Sequence, residues 1–241
     1  MAEEAPILLL HGFSNTGACW QAVQARLDRP ALAPTLAAAD LPGALSQIAA
    51  ALPAPGTLVG YSQGGRIALH AALDRRVGAR IKRLVLIGAS PGIEDPRERA
   101  ARRSQDAALA DWIEAHTVAE FADRWAKTPV LADLSPELAA RARADRLNNT
   151  PAGLAATLRG LGTGALPSLW HSLDRLEIPV TLLAGERDTK FSAIAAQMAS
   201  RIPDARVVIV PGAGHQVHLQ RPDAVAAEVA SIPTARATRN G

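Results

Sequence analysis

Gly60-Tyr61-Ser62-Gln63-Gly64 carries the most specific chemistry in the chain. An apolar run, Thr57-Leu58-Val59, precedes it, and a helical run from Arg66 to Leu73 follows. Strand, sharp turn and helix are the context that makes a G-x-S-x-G sequence a nucleophile elbow. Such a turn holds its serine in a strained backbone conformation. Glycines at 60 and 64 let strand and helix close up behind it. The bland alternative is a Gly-rich turn with a capping serine, and the correct flanks on both sides argue against it.

A serine hydroxyl attacks only when a base takes its proton, and that base is a histidine oriented by a carboxylate. Gly185-Glu186-Arg187-Asp188 leaves the apolar run Val180 to Ala184, and Gly212-Ala213-Gly214-His215 leaves the run Val207 to Val210. The order Ser62, Asp188, His215 is the chain order expected of a triad on this type of sheet. Glu186 competes for the acid role, and Asp188 could instead cap the helix that follows it. His218 competes with His215 and otherwise reads as packing or as a donor to the base. An oxyanion hole needs two donors where negative charge develops. The backbone N–H of Gln63 is one candidate. That of Phe13, after His11-Gly12, is the other. His11 reads as a loop-holding residue, and His70, His116 and His171 as structural or solvated. None of the six histidines has a partner at metal-ligand spacing, so no metal and no cofactor is expected.

Arg66 lies four residues after Ser62, one turn along the same helix face. A guanidinium on a helix packed against a sheet must be paired internally or must face a cleft. The two readings are an internal salt bridge and a contact with a substrate carboxylate. Arg102, Arg103 and Arg146, further along the chain, would converge on the same place in the second reading.

The chain has 241 residues, 48% hydrophobic, with a net charge of +3. That fits one α/β domain with an insertion. No apolar run approaches the roughly 18 to 20 residues of a membrane span. The acidic start, Met1-Ala2-Glu3-Glu4, does not read as a secretory signal. The single cysteine, Cys19, cannot form an internal disulfide, which suits a cytoplasmic location. No base motif accompanies it as a nucleophile. The basic residues are mixed with acids and only 3% of residues are aromatic, unlike a nucleic-acid surface. The expected partner is a small anionic molecule, with no nucleic acid and no membrane, and the chain is expected as a monomer or weak homo-oligomer.

Short apolar runs at 7–10, 57–59, 83–88, 178–185 and 206–210 alternate with helical patterns, which implies a parallel sheet. One poor strand is expected within 30–40, ending at Asp40. Helices are expected near 19–27, 44–52, 191–201 and 222–231. The alternation stops after Ser90. From 91 to 173 the pattern is helical and rich in Ala, Arg and Leu, and Trp112, Trp125 and Trp170 lie in it. The expected organisation is a core of 1–90 and 174–232, a helical lid insertion of 91–173 and a disordered tail of 233–241. Trp112 is expected to pin the small core of the lid.

These motifs resemble the α/β-hydrolase superfamily and, within it, the 2-succinyl-6-hydroxy-2,4-cyclohexadiene-1-carboxylate synthases of menaquinone biosynthesis. The resemblance runs from Leu8 to about Pro222. It rests on His11-Gly12-Phe13, Gly60 to Arg66, Ala89-Ser90-Pro91-Gly92-Ile93, Gly153 to Gly164, Pro167 to Trp170, Gly185 to Phe191 and Gly212 to His215. It implies an α/β-hydrolase fold with an inserted helical lid. It also implies a lyase that eliminates pyruvate from an enolpyruvyl cyclohexene, with a triad at Ser62, Asp188 and His215. Arg66, Arg102 and Arg146 match carboxylate-binding arginines, with Arg103 as an alternative to Arg102, and Tyr61 and Trp125 match pocket residues. The other functions open to this fold are a carboxylesterase or carbon–carbon bond hydrolase, and a ligand receptor that keeps the pocket without chemistry. One departure is the short Asp40-Leu41-Pro42-Gly43 segment, which runs straight into Ala44 and leaves the pocket wall there undefined.

Overall fold

The computed structural model describes residues 5–231. The acidic N-terminus and the tail expected at 233–241 lie outside the described residues. Six strands form one sheet: β1 (Ile7–Leu10), β2 (Ala31–Leu32), β3 (Gly56–Tyr61), β4 (Ile81–Ile87), β5 (Val180–Gly185) and β6 (Ala205–Val210). Their spatial order is β2-β1-β3-β4-β5-β6, and every pairing is parallel. The helices in chain order are α1 (Gln21–Gln24), α2 (Leu41–Ala51), α3 (Gln63–Leu73), α4 (Pro96–Glu114), α5 (Val118–Ala126), α6 (Pro136–Arg146), α7 (Pro151–Leu161), α8 (Thr189–Ala199), α9 (Val217–Gln220) and α10 (Pro222–Ala230).

The continuous apolar runs are explained by burial on both faces of the sheet. Along the central strands, Leu8, Leu10, Leu58, Leu84, Leu86 and Leu182 point to one face, where they pack with α2, α3 and α8. Ile7, Leu9, Val59, Val85, Ile87 and Leu183 point to the other, against Trp20, Val23 and Val225. Successive side chains of a strand alternate faces, so one four-residue run serves two cores.

Parallel strands all end at the same edge, and the loops that leave that edge gather there. The sharpest is the turn from β3 to α3. Ser62 has φ +52° and ψ −110°, a left-handed backbone for a residue with a Cβ. The glycines around it permit the approach. A Cβ on Gly60 would lie 2.6 Å from the Gly64 carbonyl oxygen, and one on Gly64 would lie 2.5 Å from the carbonyl oxygens of Leu10 and His11.

Between β4 and β5 the chain leaves the sheet and builds α4 to α7. This insertion has its own small core of Ala110, Ile113, Phe121, Leu154, Ala155 and Leu158, with Trp112 and Trp125 packed on it. Among the described residues, no helix is long and apolar enough to cross a membrane.

Four boundaries differ from the sequence reading. No strand ends at Asp40. Within 30–40 the strand is just Ala31–Leu32, paired with β1, and Asp40 is the N-cap of α2, its Oδ1 accepting from the Gly43 N–H at 2.8 Å. The helix expected from Ala44 starts at Leu41, because Pro42 sits in the first turn, where its missing N–H costs nothing. The helix expected at 19–27 is a 3₁₀ turn (Gly17–Trp20) followed by one α-turn, and the one expected from Phe191 begins at Thr189.

Gly64→Ala places a methyl against two backbone carbonyls that cannot rotate away. It is expected to destabilise the fold by about 2 to 3 kcal/mol, the upper range for overpacking, read as a lowered midpoint in urea unfolding. An unchanged midpoint would refute the close approach of α3 to β1.

Candidate active site

The three loops converge as the chain order suggested. The Ser62 backbone N–H is tied to the Ile87 carbonyl at 2.8 Å, which anchors the turn to β4. His215 Nε2 lies 3.3 Å from Ser62 Oγ, and His215 Nδ1 lies 2.6 Å from Asp188 Oδ2. Asp188 and His215 are both buried, and Ser62 is partly exposed to the cavity above it. An Nδ1–H that donates to Asp188 leaves Nε2 free to accept from Ser62, the tautomer a general base needs.

Asp188 makes both contacts that the two readings call for. Its Oδ1 accepts from the Phe191 N–H at 3.3 Å and caps α8, while Oδ2 holds the imidazole. The helix cap therefore fixes the carboxylate that orients the histidine. Glu186 is elsewhere: its Oε2 accepts from the Gly212 N–H at 2.8 Å in the turn after β6.

His218 is fully buried between Trp20 and Tyr61, with ring centroids 5.0 and 4.2 Å away, and neither nitrogen has a partner among the described residues. Burial, with the nearby His215 adding to it, pushes its pKa down to about 3. It packs as a neutral ring and donates to nothing. His11 holds the loop that follows β1. Its Nδ1 donates to the Gly12 carbonyl at 2.9 Å, and its Nε2 accepts from the Leu36 N–H at 2.9 Å. Burial keeps His11 neutral by lowering its pKa, against the opposing pull of that Gly12 bond.

The Phe13 and Gln63 backbone N–H groups make no hydrogen bond to another group among the described residues, and both residues line the cavity beside Ser62. Gln63 begins α3, so its N–H is one of the unpaired donors at a helix N-terminus. The Phe13 ring packs edge-on against Trp125 and Phe121 of α5, at 5.3 and 6.0 Å.

A cavity of about 390 Å³ opens above Ser62, between the sheet edge and the insertion. Arg66, Arg102, Arg146, Tyr61 and Trp125 all line it, and Arg103 does not. Arg103 instead donates to the Gly164 carbonyl at 3.0 Å. Arg66 is buried and has no carboxylate partner among the described residues. It donates to Thr163 Oγ1, and its Nε is unpaired. The internal salt bridge is thus absent there. Burial, reinforced by neighbouring Arg102, lowers the Arg66 pKa to about 10, so it is still charged at neutral pH. Arg146 is buried to 2% exposure, with its Nε unpaired and no salt bridge among the described residues. Arg102 is half-exposed and held by Asp106 at 2.7 Å, one turn along α4.

Sequence reasoning missed several cavity residues. Lys190 and Phe191, at the start of α8, form a wall, and the Phe191 ring lies 4.5 Å from that of His215. Gln216 is buried with both amide atoms unpaired. Gln216 directly follows His215, and Lys190 and Phe191 come two and three residues after Asp188; that closeness was the available signal. Gly88 was also missed. It has φ +54°, and a Cβ there would stand 2.8 Å from His215 Cε1, so the imidazole occupies the space a side chain would fill. Trp112 lies off the cavity, stacked on His116 at 3.9 Å.

Comparison with known proteins identifies the family. The model of the alpha/beta hydrolase family matches residues 7–228. A Klebsiella pneumoniae (strain 342) 2-succinyl-6-hydroxy-2,4-cyclohexadiene-1-carboxylate synthase is 33% identical over 240 residues, covering 94% of this chain and 92% of that protein. The Escherichia coli O7:K1 protein of the same name is 33% identical over 241 residues with the same coverage. A Bacillus subtilis relative, 39% identical over 168 residues, is matched across 68% of this chain and 61% of its own length. Among solved structures, MenH from S. aureus superposes with a TM-score of 0.88 at 27% identity, over 95% of this chain and 93% of that one. A Thermogutta terrifontis esterase superposes at 0.80 and 22% identity, over 93% and 88%, a likeness of fold alone.

Two outcomes follow from the geometry. Asp188→Asn keeps an oxygen for the α8 cap but turns an amide toward His215. It should lower turnover by about 10⁴-fold, as for other triad carboxylates, with the melting temperature little changed; turnover within tenfold of wild type would remove Asp188 from the triad. His218 is neutral in the fold, so below pH 6.5 the unfolded chain binds a proton that the folded one refuses. Stability should then fall as pH drops from about 6.5 toward 3. Urea midpoints for His218→Leu should fall less steeply over that window, and an identical slope would refute the neutral buried ring.

Proposed function

The chain belongs to the alpha/beta hydrolase family and, within it, to the 2-succinyl-6-hydroxy-2,4-cyclohexadiene-1-carboxylate synthases, and from that membership we propose a pyruvate-eliminating reaction at Ser62. The substrate is 2-succinyl-5-enolpyruvyl-6-hydroxy-3-cyclohexene-1-carboxylate, and the setting is menaquinone biosynthesis. The observation that carries this reading is the pair of buried, carboxylate-free guanidinium groups, Arg66 and Arg146, in the same cavity as the serine. A buried charge without a partner is costly. An incoming carboxylate supplies that partner, and a neutral ester would not.

The reaction begins with proton transfer. His215 Nε2 accepts the Ser62 proton and Asp188 stabilises the resulting imidazolium. The serine oxygen then removes the ring proton at C2, α to the succinyl ketone. The electron pair moves onto the ketone oxygen, where the Phe13 and Gln63 N–H groups donate to the developing charge. As that charge collapses, a double bond forms at C2–C3, the existing one shifts to C4–C5, and the C5–O bond breaks. Pyruvate leaves as its enolate and takes up the proton held on His215, which returns the base to its neutral form, and the ring remains as the 2,4-diene. No acyl-serine forms, so water has no ester to attack.

Arg66, Arg102 and Arg146 meet the substrate carboxylates, while Tyr61 and Trp125 bound the ring. Arg102 enters already held by Asp106, so its charge is positioned before binding. Helices α4 to α7 act as a lid that closes the cavity from solvent.

The test is pyruvate release from the enolpyruvyl cyclohexene, measured beside p-nitrophenyl acetate hydrolysis. Fast ester turnover with no pyruvate would overturn the proposal in favour of a hydrolase. Arg66→Ala and Arg146→Ala should each weaken kcat/KM by about 1.5 to 3 kcal/mol, roughly 10- to 150-fold, the range for a hydrogen bond to a charged group. Unchanged kcat/KM in both would remove the arginines from substrate binding.

A further inference from the structure

We propose that Asp145, on the last turn of α6, is a positioning residue that holds the Phe13 oxyanion donor in place, so that the hole is complete only while the insertion is seated. This rests on the reading of Phe13 as an oxyanion donor. Asp145 is buried and has no cationic partner at salt-bridge distance among the described residues. Its carboxylate is instead spent on the loop after β1. Oδ2 accepts from Asn15 Nδ2 at 3.0 Å and from the Thr16 backbone N–H at 3.1 Å, and Oδ1 accepts from the Thr16 hydroxyl. Three residues beyond the end of α6, Asn149 Nδ2 donates to the Ser14 carbonyl at 3.0 Å. Residues 14, 15 and 16 are thus all gripped from a segment some 130 positions away.

That loop needs gripping. Ser14 has φ +67°, a left-handed backbone for a residue with a Cβ, and its buried hydroxyl has no partner. Such a conformation is unfavourable and persists only where surroundings over-determine it. Within the loop, the Asn15 N–H closes on the Gly12 carbonyl at 3.2 Å. The direction of the intervening Phe13 N–H is therefore set by residues 12, 14 and 15. Hydrogen bonds to a carboxylate are about twice as strong as neutral ones. Three of them from one buried group are the strongest external constraint on this loop.

The neighbour in sequence completes the argument. Arg146, the next residue, lines the cavity with a free guanidinium. One helical turn therefore both presents a charge to the substrate and fixes the donor loop. The Asp145 contacts to Asn15 and Thr16 are made by the protein alone, so the donor loop and the Arg146 charge are positioned together before substrate arrives.

The test uses the full-length protein and a fluorophosphonate, which phosphonylates an activated serine and places its phosphoryl oxygen in the oxyanion hole. This readout requires neither a carboxylate substrate nor pyruvate release. Asp145→Asn, normalised to folded protein, should lower the labelling rate at Ser62 by about 10- to 100-fold, short of the 100- to 1,000-fold typical of a deleted donor. Asn149→Ala should lower it several-fold in a protein that folds even if Asp145→Asn does not. With the cyclohexene substrate, Asp145→Asn should lower kcat while KM stays within about twofold, the pattern of an interaction made in the transition state. Labelling at wild-type rates in both variants, with or without a lower melting temperature, would reduce Asp145 to a structural role and overturn the proposal. A wild type that labels rapidly but releases no pyruvate would sink the lyase reading and leave the labelling comparison standing.

Discussion

A serine forced into a left-handed backbone between a buried strand and a buried helix is the constraint on which the rest of this molecule depends. The turn exists because three neighbouring positions carry no Cβ where backbone meets backbone. Its strain is held by the burial of β3 and α3 on either side. With Ser62 fixed and its N–H anchored to β4, the other chemistry has only to arrive at one point. The parallel sheet sees to that, because β1, β3, β5 and β6 all release their loops at the same edge.

Structural and chemical roles are shared by single groups throughout the site. Asp188 caps a helix with one oxygen and orients an imidazole with the other. The Gln63 N–H is an orphan of helix geometry on a residue that also lines the cavity. His11 uses both nitrogens to hold the loop that carries Phe13. Such sharing makes the site rigid, since moving one group would break a second interaction elsewhere.

The cavity itself is defined by charge that the protein leaves unanswered. Arg66 and Arg146 are desolvated without carboxylates, an arrangement that is unfavourable in the empty protein and favourable once an anion enters. Nearby acids are committed to other duties. Asp106 holds Arg102, and Asp145 holds the loop after β1. Selectivity for a multiply charged substrate over a neutral ester would follow from that division.

The amino-acid order alone determined the alternation of strands and helices, the insertion after β4, and the positions of the elbow, the acid and the histidine. Each is announced by residues adjacent in sequence: apolar runs of strand length, glycines at turns, a polar residue just past a strand. The same local signals misplaced the start of α2 and carried the short strand at 31–32 on to Asp40, because Asp40-Leu41-Pro42 reads equally well as a strand end and as a helix cap. Only the tertiary structure decided which guanidinium faces the cavity, that His218 is a dry packing ring, that Gly88 makes room for the imidazole, and that Asp145 grips Asn15 and Thr16. Those outcomes depend on contacts between segments tens to more than a hundred residues apart, and on what each polar group meets when water is gone. Neither is written in any short window of the chain.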